Sequence, residues 1–335
     1  MRDDGMMNAA IVGLGWWGRT VTERLSRSDE IRVGRAVDIV PDRHGDYAER
    51  WAIPVGASFE DAIADPTVDA VILCTPNSLH TSQVAAAARA GKHVFCEKPL
   101  ALTRAEAEAS VAVCREHGVV LGIGHERRFE PAMQELERMV RAGELGTLMH
   151  AEANFSHDKL INVPATDWRR RSDESPAAGM TAMGIHLSDA FVNLFGAASE
   201  VMAMTAKRVL PGDNGDVISA LVRFESGPIG YLNADLYTPH HLQFRVFGTK
   251  AWVEVVNETH PDTPGPATLT VHVTGEPPRV TRYEWLDSVR ANFELFAKAA
   301  RGEGSYAFTD DQKVGNIAVL EAIVRSAAEG RSVQP

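Results

Sequence analysis

The sequence has few cysteines, no long apolar run and no excess of basic charge, and each absence excludes a class of protein. Its three cysteines, Cys74, Cys96 and Cys114, fit neither a disulfide framework nor a metal site. No run reaches the roughly 18 apolar residues that a membrane-spanning helix needs. The polar first seven residues lack the apolar core of a signal peptide. We therefore expect a cytoplasmic protein that has no contact with a membrane.

The charge balance argues against a nucleic-acid-binding protein. Lys and Arg total 34 against 45 Asp and Glu, which gives a net charge of −11. The short basic run at residues 169–171 is typical of a solvated loop. His125 and the pair His240 and His241 do not have the spacing of metal ligands, so we expect no metal. A length of 335 residues is typical of two domains.

The strongest positive signal is the run Gly-Leu-Gly-Trp-Trp-Gly at residues 13–18. A short apolar run precedes it, a helical pattern follows it, and Asp38 ends a second apolar run 20 residues after the last glycine. Strand, glycine turn, helix, strand and acid form the pattern of a dinucleotide site.

Each part of this pattern has a physical reason. Gly13 permits the tight turn, Gly15 lets the backbone approach a pyrophosphate, and Gly18 lets the helix lie close to the strand. The helix N-terminus offers free N–H groups to the phosphates. Asp38 can accept hydrogen bonds from a ribose and would repel a 2′-phosphate, which favours NAD over NADP. Arg43 follows closely and softens that preference.

The chain changes character near residue 125. Before it, short apolar strands alternate with helices, which predicts a doubly wound parallel sheet, an α/β domain of the Rossmann type. After it, longer alternating runs predict an α+β domain on a large, mostly antiparallel open sheet. We expect a dinucleotide-binding domain at 1–125, a substrate-binding and oligomerisation domain at 126–335, and catalysis in a cleft between them.

Three further strings follow predicted strands of the first domain, where ligands of parallel sheets bind. They are Cys-Thr-Pro-Asn at 74–77 with His80 nearby, Glu-Lys-Pro at 97–99, and Gly-His-Glu-Arg-Arg-Phe at 124–129. Together with the glycine turn and Asp38, they resemble the family of glucose-fructose oxidoreductase, inositol dehydrogenase and MocA (Gfo/Idh/MocA). The resemblance covers almost the whole chain.

The resemblance implies a cofactor site and one catalytic group. In that family the lysine of the tripeptide lies at the nicotinamide and the substrate hydroxyl, which indicates Lys98, and the following proline is often cis. A partly desolvated lysine can exchange a proton with an alcohol. The expected cofactor-binding residues are Gly13, Leu14, Gly15, Trp16, Trp17, Gly18, Asp38, Cys74, Thr75, Pro76, Asn77, His80, Glu97 and Lys98.

The second domain departs from the family pattern at one position. The family commonly places an Asp four residues before a His on one helix. Here His186 matches the histidine, but Ala182 stands at the position of the acid. A Lys–Asp proton relay is therefore impossible at that position. Two interpretations stay open: His186 and Lys98 suffice for catalysis in a subgroup with a modified site, or the chemistry has been lost.

The remaining candidates are side chains that could bind substrate. Asp189 lies one turn after His186 and either holds the helix or contacts the substrate. An aromatic such as Trp168 could cover a ligand, and an arginine could hold an anion. The full set of predicted substrate-binding residues is Arg128, His157, Trp168, Arg169 and Asp189.

The sequence thus predicts an NAD(P)-dependent oxidoreductase. It would transfer a hydride between nicotinamide and a secondary alcohol or ketone of a sugar, polyol or cyclic diol, with His186 as proton acceptor and Lys98 on the same oxygen. A non-catalytic NAD-sensing or ligand-binding protein on the same fold is one alternative. A reductase of C=N or C=C bonds is another. A homodimer or homotetramer is expected, since an open sheet face needs a partner.

Overall fold

The computed structural model describes residues 5–177, 179–260 and 262–335, and the chain forms two compact units. The first unit contains residues up to Ala101, Ala105–Glu126 and Val289–Asp310. The second contains Leu102–Arg104, Arg127–Ser288 and Asp311–Pro335. No helix in the described part of the chain is both long and apolar enough to span a bilayer.

The first unit is built on a parallel sheet of six strands in the order β3-β2-β1-β4-β5-β6. Residues of β1 and β4 are buried throughout, as is usual for parallel strands covered on both faces. The strands are β1 (Met7–Val12), β2 (Ile31–Val37), β3 (Val55–Gly56), β4 (Ala70–Leu73), β5 (His93–Cys96) and β6 (Leu121–Ile123). The helices between them are α1 (Trp16–Leu25), α2 (Gly45–Trp51), α3 (Phe59–Ala64), α4 (His80–Arg89) and α5 (Arg104–Glu116).

The second unit is built on a sheet of eight strands in the order β14-β13-β12-β11-β7-β10-β9-β8. Among the described strands of this sheet, β7 and β10 pair in parallel and the other neighbours pair antiparallel, so the predicted fold class is confirmed. In chain order, the elements that follow residue 126 are α6 (Pro131–Arg141), β7 (Leu148–Ser156), α7 (Ile185–Phe195), β8 (Ala198–Ala206), β9 (Val217–Phe224), β10 (Ile229–Asp235), β11 (His241–Gly248), β12 (Ala251–Asn257), β13 (Ala267–Val273), β14 (Arg279–Tyr283), α8 (Ser288–Ala300) and α9 (Asp310–Glu329).

The helix α8 belongs with the first unit, whereas the sequence-based boundaries placed all of 126–335 in the second domain. The physical reason is aromatic packing against β5. The Phe293 ring stacks on that of Phe95 with centroids 3.8 Å apart, and Phe296 meets the same ring edge-on at 5.5 Å. The first unit is therefore completed by a segment that follows the second sheet in the sequence.

One face of the eight-stranded sheet is buried and the other is open. Side chains alternate between the two faces, as in β9, where every second residue is buried. A row of stacked rings crosses the open face on four paired strands: His150, Phe247, Trp252 and His272, with neighbouring centroids 4.2, 5.3 and 3.6 Å apart. Leu221, Tyr231 and Met204 are exposed on the same face.

Candidate active site

The glycine turn between β1 and α1 combines two crowded positions with one open position. Gly13 has φ +95°, and a Cβ there would lie 2.6 Å from the carbonyl oxygen of Cys74. A Cβ at Gly18 would lie 2.0 Å from the Gly13 oxygen. A Cβ at Gly15 would meet no atom within 4 Å. Open space in front of Gly15, at the N-terminus of α1, fits a pyrophosphate.

Asp38 follows β2 and is joined to this turn. The Leu14 N–H donates to its Oδ2 at 2.9 Å, and the Val40 N–H donates to its Oδ1 at 3.0 Å. Burial opposes ionisation of the carboxyl, but these bonds and the neighbouring His44 lower its pKa overall. A carboxylate therefore stands beside the phosphate-binding turn, as a ribose-binding acid requires.

The predicted cofactor loops follow neighbouring strands. The glycine turn follows β1, residues 74–77 follow β4 and residues 97–99 follow β5, and these strands are adjacent in the sheet. His80 joins two of the loops: its Nδ1 lies 2.7 Å from the Pro99 oxygen and its Nε2 lies 3.1 Å from the Thr75 oxygen. The structure thus brings the sequence-predicted cofactor residues to one end of the sheet.

The side chains of these loops differ in exposure. Lys98 is half-buried, and its peptide bond to Pro99 is cis. Trp16 is exposed, whereas Trp17 packs against the core of the unit. Asn77 and Glu97 are buried. The tripeptide therefore leaves its lysine accessible in part while it buries its acid.

Glu97 is a buried acid with an unusual titration. A Cβ at Gly124 would lie 2.3 Å from its Oε2, and the Lys98 N–H donates to the same oxygen at 3.3 Å. Burial raises its pKa to about 7, with opposing contributions from Trp17 and Lys98. This carboxyl therefore changes its charge near neutral pH.

Glu97→Gln is expected to change how stability depends on pH. The carboxyl has a pKa near 4.5 when unperturbed and about 7 in the folded protein. Its contribution to stability is thus fully present below about pH 4.5 and is lost as pH rises through 7. Gln keeps the neutral form, so Glu97→Gln should gain up to about 3 kcal/mol relative to the parent between pH 5 and pH 8.

Urea unfolding of the protein without cofactor at both pH values measures this difference. Glu116→Gln, at an exposed position of α5, is the control and should show no such change. Equal parent-to-variant differences at pH 5 and pH 8 would contradict the assignment.

In the second unit, His186 lies in the first turn of α7 and is buried. The preceding turn, Met180–Gly184, is π-helical, a form frequent at functional sites. It lies directly against β10, because a Cβ at Gly179 would be 2.5 Å from the Ala234 oxygen. Ala182 is half-buried in this turn.

Two predicted substrate residues bind each other. The Arg128 Nε donates to Asp189 Oδ2 at 2.7 Å, and its Nη2 donates to Oδ1 at 2.6 Å, with both side chains buried. The Arg128 Nη1 also donates to Asn193 and Gln312. This bidentate pair holds α7, which favours the structural interpretation of Asp189 over direct contact with substrate.

The other three predicted substrate residues divide into two places. The His157 and His186 rings both lie near Phe155, with centroids 5.5 and 6.3 Å from it. Arg169 lies over the Trp168 ring at 4.2 Å and pairs with Asp167 at 3.1 Å. Of these three residues, His157 therefore lies near the same ring as His186.

Sequence reasoning missed two further side chains around Phe155. The His260 ring lies 5.5 Å from Phe155 and 5.1 Å from His157, and the Arg127 guanidinium lies 5.3 Å from Phe155. No spacing in the sequence links these positions. Among residues 5–177, 179–260 and 262–335, no group of three His, Cys, Asp or Glu side chains is placed to hold a metal ion.

Two family models match this chain. The model described as "Oxidoreductase family, NAD-binding Rossmann fold" matches residues 7–125, and the "GFO/IDH/MocA C-terminal domain" matches residues 133–254. The chain therefore belongs to the Gfo/Idh/MocA family of oxidoreductases, as the motifs predicted.

Individual relatives differ in what they act on. The chain is 31% identical to a 1,5-anhydro-D-fructose reductase of Ensifer adhaerens over 83% of each chain. It is 26% identical to a 2,7-anhydro-N-acetylneuraminate hydratase of Escherichia coli, over 75% of this chain and 68% of that protein. The structure of an aldose-aldose oxidoreductase from Caulobacter crescentus, complexed with glycerol, is 27% identical, with TM-score 0.87 over 98% of this chain and 100% of that one.

Proposed function

We propose that this protein is an NAD-dependent oxidoreductase that acts on a secondary alcohol or ketone of a sugar, polyol or cyclic diol. The observation that carries the proposal is the set of loops after β1, β2 and β5, which hold an open position at Gly15, the backbone-bound acid Asp38 and Lys98. The reductase from Ensifer adhaerens and the aldose-aldose oxidoreductase support a sugar-like substrate.

The residues present fit a dinucleotide. The open position at Gly15 and the free N–H groups of the first turn of α1 would hold the pyrophosphate, and Asp38 would hold the adenosine ribose. When bound, the nicotinamide supplies the hydride acceptor or donor. Because Asp38 is ionised, NAD is the proposed cofactor in preference to NADP.

Two residues of this chain are proposed to act on the substrate oxygen. His186 takes the hydroxyl proton during oxidation, and Lys98 donates a hydrogen bond to the same oxygen and stabilises the charge that develops on it. Arg128 and Asp189, paired with each other, position α7 and thereby His186. His157 is proposed to contact a substrate hydroxyl, because its ring shares Phe155 with His186.

Ala182 supports a second candidate, a protein of the same fold that binds NAD without net oxidation of a ligand. The absence of a carboxylate at residue 182 and the similarity to a hydratase both favour this candidate. A spectrophotometric panel of sugars, inositols and dihydrodiols with NAD and NADP separates the candidates. Turnover with NAD that is lost in Lys98→Met supports the oxidoreductase, and NAD binding without turnover of any member favours the second candidate.

Ala182→Asp is expected to move the pH dependence of oxidation. The new carboxylate would lie one helical turn before His186, where residues four apart are neighbours, and would favour the protonated imidazole. Since oxidation needs the neutral ring, the acidic limb of the rate profile should move up by about one pH unit.

The matched control is Ala182→Asn, which has almost the same shape and no charge. The kcat profile of both variants against pH provides the measurement. Identical profiles for the Asp and Asn variants would show that His186 is not the titrating base.

We also propose that a second copy of the chain covers the open face of the eight-stranded sheet. The stacked row and the exposed Leu221, Tyr231 and Met204 form an apolar surface of the kind that subunits bury. Trp252→Glu should convert a dimer or tetramer into smaller species by light scattering. A monomeric parent, or an unchanged mass in the variant, would contradict this proposal.

A further inference from the structure

The first turn of α4 connects two of the loops that are proposed to form the cofactor site. The His80 Nδ1 lies 2.7 Å from the Pro99 oxygen, and its Nε2 lies 3.1 Å from the Thr75 oxygen. Further along the same turn, the Thr75 hydroxyl donates to Gln83 Oε1 at 2.6 Å. The start of α4 and the loop after β4 are therefore fixed to each other, and His80 extends from them to the loop after β5.

Pro99 is the residue at which His80 meets the loop that carries Lys98. Proline has no N–H, so its carbonyl is its one backbone group that can form such a hydrogen bond. A carbonyl oxygen only accepts, so the ring nitrogen at 2.7 Å donates to it. The neutral ring with its hydrogen on Nδ1 and the charged ring both supply this donor, so the bond does not depend on the charge of the imidazole.

A second hydrogen bond holds the same loop on the other side of Lys98. The Glu97 N–H donates to the Leu73 oxygen of β4 at 2.9 Å. Lys98 thus lies between one bond to the sheet and one bond to His80. His80 itself is 1% exposed, whereas Lys98 is half-buried. Burial of this kind favours a supporting role for His80 behind the loops over direct contact with a cofactor.

We infer that His80 is a positioning residue, which holds Lys98 at the substrate oxygen through its hydrogen bond to the Pro99 carbonyl. The inference rests on the proposed function, in which Lys98 stabilises the charge that develops on that oxygen. A displacement of about 1 Å at a group that acts in the chemical step can reduce the rate about 100-fold. His80 would therefore change kcat without touching the substrate or the cofactor.

Three substitutions at this position separate the two ring contacts. The side-chain amide nitrogen of Asn can reach the position of Nδ1, and that of Gln can reach the position of Nε2. His80→Asn should therefore keep the donor to Pro99 and keep kcat within about threefold of the parent. His80→Gln keeps only the donor to Thr75 and His80→Ala keeps neither, so both should reduce kcat about tenfold or more. The dissociation constant for NAD should stay within about twofold of the parent in all three variants, because Lys98 is not proposed to hold the pyrophosphate or adenosine.

NMR of the lysine side chains provides a measurement that does not need turnover. The chain has seven lysines, so reductive methylation with carbon-13 formaldehyde gives a small set of methyl signals, and Lys98→Arg identifies the signal of Lys98. This signal should keep the chemical shift of the parent in His80→Asn and move in His80→Gln and His80→Ala. The control is His93→Gln, which removes the Nδ1 that accepts the Val120 N–H at the start of β5. It should change neither the Lys98 signal nor kcat.

The outcomes separate this inference from the proposed function. If the parent turns over no member of the sugar, inositol and dihydrodiol panel, the proposed function fails, and the Lys98 signal alone decides whether His80 positions Lys98. If His80→Gln and His80→Ala match the parent, or if the Asn and Gln variants change equally, the inference is overturned while the function stands. NAD binding that weakens in parallel with kcat would also overturn it. All variants are compared below their unfolding midpoints, and His80→Ala takes the place of His80→Gln if the latter does not fold.

Discussion

Lys98→Met is expected to reduce the rate of oxidation by about 100-fold or more, the usual range for a group that stabilises charge or transfers a proton in the chemical step. The substitution keeps the length of the side chain and removes its charge and donors. His186→Ala should cause a loss of the same order and should also remove or shift the acidic limb of the pH profile. Affinity for NAD should change far less in both variants, because neither residue is proposed to hold the pyrophosphate or adenosine.

Two control substitutions test for general damage. Lys92 lies before β5, and its Nζ donates to the Asp65 and Val68 oxygens, so Lys92→Met removes a lysine of the same unit outside the proposed site. His117 is exposed after α5, and His117→Ala removes a histidine there. Both controls should keep kcat within about twofold of the parent. That change is far smaller than the loss expected when a catalytic group is removed. Unchanged kcat in both Lys98→Met and His186→Ala would show that the reaction uses other residues.

Gly15→Val should abolish cofactor binding and leave the fold intact. The added side chain meets no protein atom at its Cβ, so the folded structure tolerates it, but it occupies the space proposed for the pyrophosphate. Isothermal titration should detect no NAD binding, while the midpoint of thermal unfolding stays near that of the parent.

Gly18→Ala should behave in the opposite way. Its Cβ would lie 2.0 Å from the Gly13 oxygen, a backbone atom, so the helix must move away from the strand and stability must fall. Within one turn, Gly15→Val should therefore affect cofactor binding, whereas Gly18→Ala should affect stability. NAD binding by Gly15→Val that equals the parent's would show that the phosphate site lies elsewhere.

Local rules explain why the first sheet and its glycine turn could be predicted from the sequence. Each part depends on neighbouring residues: Gly13 has a positive φ, Gly18 allows close approach, and the buried strand β4 has an unbroken apolar run. Because these strands are parallel, the residue at which each strand ends determines which polar side chains lie at the same edge of the sheet. For that reason, the residues expected to bind the cofactor could be predicted from the sequence.

Long-range partners explain what could not be predicted. The sequence pattern of α8 indicates an amphipathic helix but does not show which sheet its Phe293 packs against. In the structure, Phe293 packs against Phe95 of the first unit. Arg128 and Asp189 are 61 residues apart, and nothing local indicates that they pair. His260 is likewise a single histidine whose place beside His157 depends on the loop after β12. Propensity and periodicity describe segments, whereas these contacts depend on how segments meet.

In the proposed reaction, a hydride moves between a substrate carbon and nicotinamide. The most direct measurement uses a panel substrate that carries deuterium at the carbon bearing the hydroxyl, with mass spectrometry of the cofactor after turnover. The deuterium is expected in the reduced nicotinamide formed by the parent, and Lys98→Met should form little of it. Conversion of the substrate with its deuterium kept on the product or lost to water, and with NAD left oxidised, would contradict the proposed hydride transfer.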